Sequence, residues 1–229
     1  AWSNVGGINF ELLEKLGPTS FVGYDTLECG AIVKALICDG EVAERLEAGQ
    51  EGEIILSTTP FYAEMGGEVG DTGIIFAGES VARVLDTKAP EAGLTVHKVK
   101  IESGLFSVGE EVTASVDAKR RASIARNHTC THILHAALRE VLGAHVKQAG
   151  SYVGPDRLRF DFTHFEALTP EQIAQVEELA NSYIMQAIPT TRYETSLDEA
   201  RNSGVTALFG EKYGETVRVV EVGQFSREL

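Results

Sequence analysis

The chain has 229 residues with a formal net charge of -14, 43% apolar and 24% charged residues, the profile of an ordinary globular protein of one large domain or two small ones. No apolar run approaches the ~20 residues that span a bilayer, and the first residues lack the basic-then-apolar order of a secretory leader. Strong acidity excludes general nucleic-acid binding by this chain alone, because neutralising phosphates takes clustered Lys and Arg.

The absence of an initiator Met leads us to expect a piece of a longer chain. Residues 10–16 read as a short helix ended by Gly17-Pro18, and residues 1–19 as a linker from a preceding domain. From 20 to 117 the texture is β. Apolar runs such as Ile32-Val33-Lys34-Ala35-Leu36-Ile37 and Gly52-Glu53-Ile54-Ile55-Leu56 alternate with Gly, Asp and Glu turns, which predicts a small barrel or sandwich. At Asp117 the pattern changes. Residues 119–142 hold no Gly or Pro and space Ile124, Leu134, Leu138, Val141 and Leu142 as a helix does, and Gly143 ends it. Strands are expected at 146–153 and 158–162, the second in strict alternation. Thr169-Pro170-Glu171-Gln172 reads as a capping box opening a helix to about 187. Ser196-Leu197-Asp198-Glu199 reads as a second, for a short helix closed by Gly204, and 216–222 reads as a final strand. The expected organisation is α+β, a β-barrel subdomain (20–117) followed by an α/β layer (118–229).

Cys29, Cys38 and Cys130 are too few and too scattered for a disulfide framework and fit reduced thiols, as in a cytoplasmic protein. The helix carries His128 and His132, which at about 100° per residue lie on one face, within ~40° of each other, where two imidazoles can reach one metal. Cys130 projects away from that face and reads as a small buried hydrophobe. The Glu that follows the first His in metallopeptidase helices is replaced by Thr129, which removes the peptidase reading. His135 is a group orienting a ligand or a packing residue. His145 and His164 read as structural or surface residues, and His97 carries no signal.

NHTCTHILHAALREVLG (residues 127–143) resembles the metal-binding helix of alanyl-tRNA synthetase editing domains and free-standing alanyl-tRNA deacylases. HVKQAGSYVGPDRLRFDFTHFEALT (145–169), ALFGEKYGETVRVVEVG (207–223) and the glycine-rich FYAEMGGEVGDTG (61–73) resemble the same family in the same order. The last departs from the family at Met65 and Glu68, where Ser and Gln are usual.

The resemblance implies a two-layer sandwich of the threonyl/alanyl editing type and hydrolysis of the ester in mischarged Ser-tRNA(Ala) and Gly-tRNA(Ala), within a cytoplasmic enzyme that joins alanine to tRNA(Ala) with ATP. The alternatives are a free-standing deacylase of the same chemistry and a metal-free module that binds the tRNA end. It makes His128 and His132 zinc ligands, and it lets Thr131, Gln148 and Ser151 line the amino-acid pocket, with Thr131 and Gln148 as catalytic candidates. The remaining Cys and His zinc ligands are expected beyond Leu229. Arg157 and Arg159 either meet phosphates near the tRNA end or pair with Asp156 or Asp161 on a solvated strand edge. The expected partners are the tRNA(Ala) 3′ end and the rest of the synthetase, with neither membrane nor DNA.

Overall fold

The computed structural model describes residues 16–91, 93–203, 205, 214–223 and 226–228, so the expected helix at 10–16 lies, but for Leu16, outside the described residues, as does the expected stop at Gly204. Two compact units divide between Ala122 and Ser123. The architecture is mixed α+β, with the strands of the first unit forming a barrel.

In chain order the first unit holds β1 (Ser20–Phe21), β2 (Glu28–Cys38), β3 (Glu41–Ala43), β4 (Arg45–Glu47), β5 (Glu51–Leu56) and β6 (Thr58–Thr59), then β7 (Gly73–Ala77), β8 (Ser80–Lys88), β9 (Val96–Ser103), β10 (Leu105–Ser107) and β11 (Glu111–Val116). Strands β11, β7, β8, β9, β5 and β2 pair in that order, and β11 also pairs with β2, which closes the ring and removes the open edges. Leu36, Ile54, Phe61, Ile75, Ile101 and Phe106 fill the interior with no exposed surface. The run 32–37 is nearly continuous in apolar residues because β2 is covered on both faces. Leu36 enters the interior, while Ala35 and Ile37 join Ile55, Leu94 and Val96 in a second cluster.

The glycine-rich segment is a tight structural device. Gly66 (φ 59°) and Gly67 (φ 87°) turn the chain through the left-handed region, and Met65 and Glu68 bond to each other across that turn. Gly70 lies against the carbonyl of Thr87, where a Cβ would collide. The next residue, Asp71, is 2% exposed and takes the guanidinium of Arg121, which also donates to the carbonyls of Gly23 (2.9 Å) and Pro60 (3.1 Å). Arg120 donates to the carbonyl of Gly70 at 2.8 Å. Arg120 and Arg121 are therefore both engaged inside the first unit.

Helix α1 (Ala118–Leu142) begins where the Asp117 carboxylate accepts from the amide of Arg120 at 2.9 Å, and it ends at Gly143 with φ 115°. There follow β12 (Gln148–Val153), β13 (Leu158–Phe162), α2 (Pro170–Met185), β14 (Thr190–Ser196), α3 (Leu197–Asn202), β15 (Thr216–Val222) and β16 (Ser226–Glu228). Thr169 and Gln172 form the complete reciprocal capping box, with Pro170 opening α2. Ser196 caps α3 by accepting from the amide of Glu199. Among the described residues of the second unit, β12 and β13 pair as a hairpin and a three-stranded sheet runs β14-β15-β16, of which β14 was not foreseen from the sequence. Leu134, Leu138, Val141 and Leu142 of α1 pack with Val146, with Phe160 and Phe162 of the hairpin and with Val176 and Leu179 of α2.

Candidate active site

Helix α1 lies against the β12–β13 hairpin through one stripe of its surface. Asn127 donates its amide to the carbonyl of Gly154 at 2.8 Å, and the ring of His135 meets that of Phe160 at 5.1 Å. Helical spacing places Thr131 between those two anchors on the same stripe, and it is 6% exposed accordingly. Its hydroxyl donates to the carbonyl of Asn127 at 2.9 Å. A hydroxyl whose proton is spent on its own helix offers only lone pairs to anything else.

On the hairpin, cross-strand pairing fixes the faces. Ser151 opposes Phe160 and Val153 opposes Leu158, so these point toward α1, while Tyr152 and Arg159 point away. Gln148 precedes Ser151 by an odd step and would ordinarily face the other way. A bulge between Gln148 and Gly150 corrects this by leaving Ala149 as an extra residue, so that Gln148 opposes Phe162, which shares the core face with Phe160. The Gln148 amide then donates to the Ser151 hydroxyl at 3.1 Å. The structure thus brings Gln148 and Ser151 together on the face that α1 covers. Arg159 stands apart, on the opposite face, paired with Asp161 at 3.2 Å. Arg157 lies over the ring of Tyr152 at 5.6 Å.

His128 and His132 stand side by side next to the Thr131 stripe, their rings 5.1 Å apart and 23° from parallel. His132 is nearly buried at 7% exposure, and His128 is half-buried. Among the described residues no group of three or more His, Cys, Asp or Glu side chains gathers as a metal cage. Two imidazoles one turn apart have the chemistry and spacing of the paired-nitrogen half of a tetrahedral zinc site. Cys130 points elsewhere. It is half-buried, burial raises its thiol pKa, and it lines a cavity of about 600 Å³ with Thr129, Ile133 and Ile184 on the other side of α1.

Three histidines proved more informative than expected. His97 is fully buried, bonded to Thr59 (2.7 Å) and the carbonyl of Ile54 (2.8 Å), and burial lowers its pKa to about 4. His145 and His164 share a nitrogen-to-nitrogen hydrogen bond of 2.9 Å. No sequence signal marks either arrangement: His97 meets Thr59 and Ile54 from other strands, and His145 and His164 meet because they flank the β12–β13 hairpin.

Residues 7–120 match the family of class II (A) tRNA synthetases. The alanine–tRNA ligase of Pelotomaculum thermopropionicum is 51% identical over 219 residues, covering 96% of this chain and 25% of the relative. The enzyme of Acetivibrio thermocellus is 51% identical and that of Bradyrhizobium diazoefficiens 48%, over the same shares. The chain therefore spans about a quarter of the length of these curated relatives. With such identity along nearly its whole length, the chain belongs to the alanine–tRNA ligase family.

Proposed function

We propose that this segment is the editing region of an alanine–tRNA ligase, hydrolysing the ester of mischarged Ser-tRNA(Ala) and Gly-tRNA(Ala), and that its second unit is a two-layer editing sandwich. The observation that carries the reading is the convergence of Gln148 and Ser151, through a bulge, on the helix face beside His128 and His132. The much greater length of the relatives favours a segment of a synthetase, which joins alanine to tRNA(Ala) with ATP in the cytoplasm, over a free-standing deacylase.

Alanine differs from serine by one hydroxyl, a difference that an apolar synthetic pocket separates poorly, so a second hydrolytic site is the physical remedy. Thr131 has only lone pairs to offer, and it accepts the serine hydroxyl proton. Gln148 and Ser151 hold the other side of the amino acid. The methyl of alanine, which glycine lacks and serine replaces with a hydroxymethyl group, offers the Thr131 oxygen no donor and fills the space before it, which penalises the correct product. Hydrolysis needs a water delivered to the ester carbonyl carbon, stabilisation of the carbonyl oxygen as it gains charge, and departure of the ribose oxygen with a proton. His128 and His132 would hold zinc, which when bound polarises the carbonyl or acidifies a water. Residues outside this chain complete the metal site and, given the acidity of this one, supply most of the grip on phosphate. Arg159, on the outer face of the hairpin, contributes only at its margin.

In the complete synthetase, His132→Ala should lower Ser-tRNA(Ala) deacylation about 100-fold or more, reduce bound zinc and spare alanine charging. Deacylation at the unchanged rate would remove zinc-assisted hydrolysis from this site.

A further inference from the structure

At the Gln148 end of the hairpin, three rings cluster. His145 stacks on His164 (5.1 Å, 20°) and on Phe165 (4.6 Å, 24°), and His164 lies 5.9 Å from Phe165. Phe165 is 86% exposed, the most exposed large apolar side chain among the described residues. A ring held from behind by imidazoles and open in front is a stacking platform, and it keeps its orientation without a ligand because the two imidazoles bond to each other. The chain between His145 and Gln148 can reach at most about 11 Å, so the platform lies within a nucleotide or two of the reactive end. The exposed Lys147 lies beside it, and Arg139 reaches the neighbouring carbonyl of Val146 at 3.4 Å. Glu166 follows Phe165 in the sequence.

We propose that Phe165, backed by His145 and His164, is a binding site for an unpaired nucleobase of the RNA whose end enters the Gln148 pocket. The inference rests on the reading of this region as one that acts on tRNA ends. An exposed aromatic ring accepts any base by its π-face, and stacking of this kind is insensitive to sequence. It suits a single-stranded end that must be held while its ester is examined.

The test uses the complete synthetase, whose other regions supply the grip on phosphate, and an RNA hairpin with an unpaired 3′ end carrying 2-aminopurine near its terminus. Wild-type protein should quench the fluorescence and bind. Phe165→Ala should weaken binding about tenfold, Phe165→Trp should retain it, and the abasic counterpart of the RNA should bind wild-type protein as weakly as the normal RNA binds the alanine variant. Phe165 packs little, so the substitution does not endanger the fold. Absence of quenching, or equal affinity with and without the ring or the base, overturns the proposal. Deacylation is read separately. Its loss with stacking intact overturns only the hydrolase reading, and its persistence with Phe165 indifferent overturns only the platform.

Discussion

The side chains that stabilise the barrel are distinct from those that line the candidate pocket, and each set predicts its own phenotype. Arg121 is mostly buried against Asp71, which is almost wholly so. Truncating Arg121 to Ala strands a carboxylate in the interior, and such a loss costs about 3–5 kcal/mol. Chemical denaturation should show it, whereas the Arg159→Ala change on the solvated face of the hairpin should cost less than about 1 kcal/mol. His97 gives a pH signature. Its folded pKa of about 4 lies below its ordinary value because burial disfavours the charged ring. The fold therefore gains from the neutral ring above pH ~6.5, and that gain is lost as pH falls from there toward about 4, an effect of up to ~3 kcal/mol. Urea midpoints should fall across that window in the wild type and flatten in His97→Gln. A wild-type profile flat from pH 7 to 4 would show that the ring protonates in place.

At the scale of elements, the bulge at Ala149 decides which way Gln148 faces. Deleting Ala149 should restore regular alternation and leave Gln148 opposite Phe162, still facing α1. The hairpin should persist and Ser-tRNA(Ala) deacylation should survive the deletion, whereas Gln148→Ala should lower it. A deletion as damaging as Gln148→Ala would show that the facing of Gln148 alone does not build the pocket. The bulge was not legible in the sequence, since a one-residue register shift leaves the apolar pattern of β13 intact. What could be read followed from local chemistry. Asp117 and Gly143 bracket α1, the Thr169 box opens α2, and the alternation of Leu158, Phe160 and Phe162 marks the core face. Strand β14 escaped because nearly all of Thr190–Ser196 is polar and its pattern is exposed. It is an edge strand, held by backbone pairing to β15 rather than by a buried face. The end of α2 also came earlier than expected, at Met185, where the chain turns through Ala187 with φ 50°.

For the whole molecule, the barrel explains why a glycine-rich motif some distance along the sequence from His128 and His132 belongs to the same signature. Its glycines shape a turn and a close approach, and its Asp71 fixes Arg121 near the start of α1. On the proposed reading, the acidity of this segment, which spans a quarter of the length of its relatives, leaves other regions to hold the phosphates. The central claim is hydrolysis that discriminates by a hydroxyl. Its most direct measurement is the ratio of Ser-tRNA(Ala) to Ala-tRNA(Ala) deacylation by the complete synthetase, in the wild type and in Thr131→Val, which keeps the shape and removes the acceptor. The ratio should be large in the wild type and fall about tenfold or more in the variant through slower serine release. Equal hydrolysis of the two esters by the wild type, or a ratio unmoved by the substitution, would contradict it.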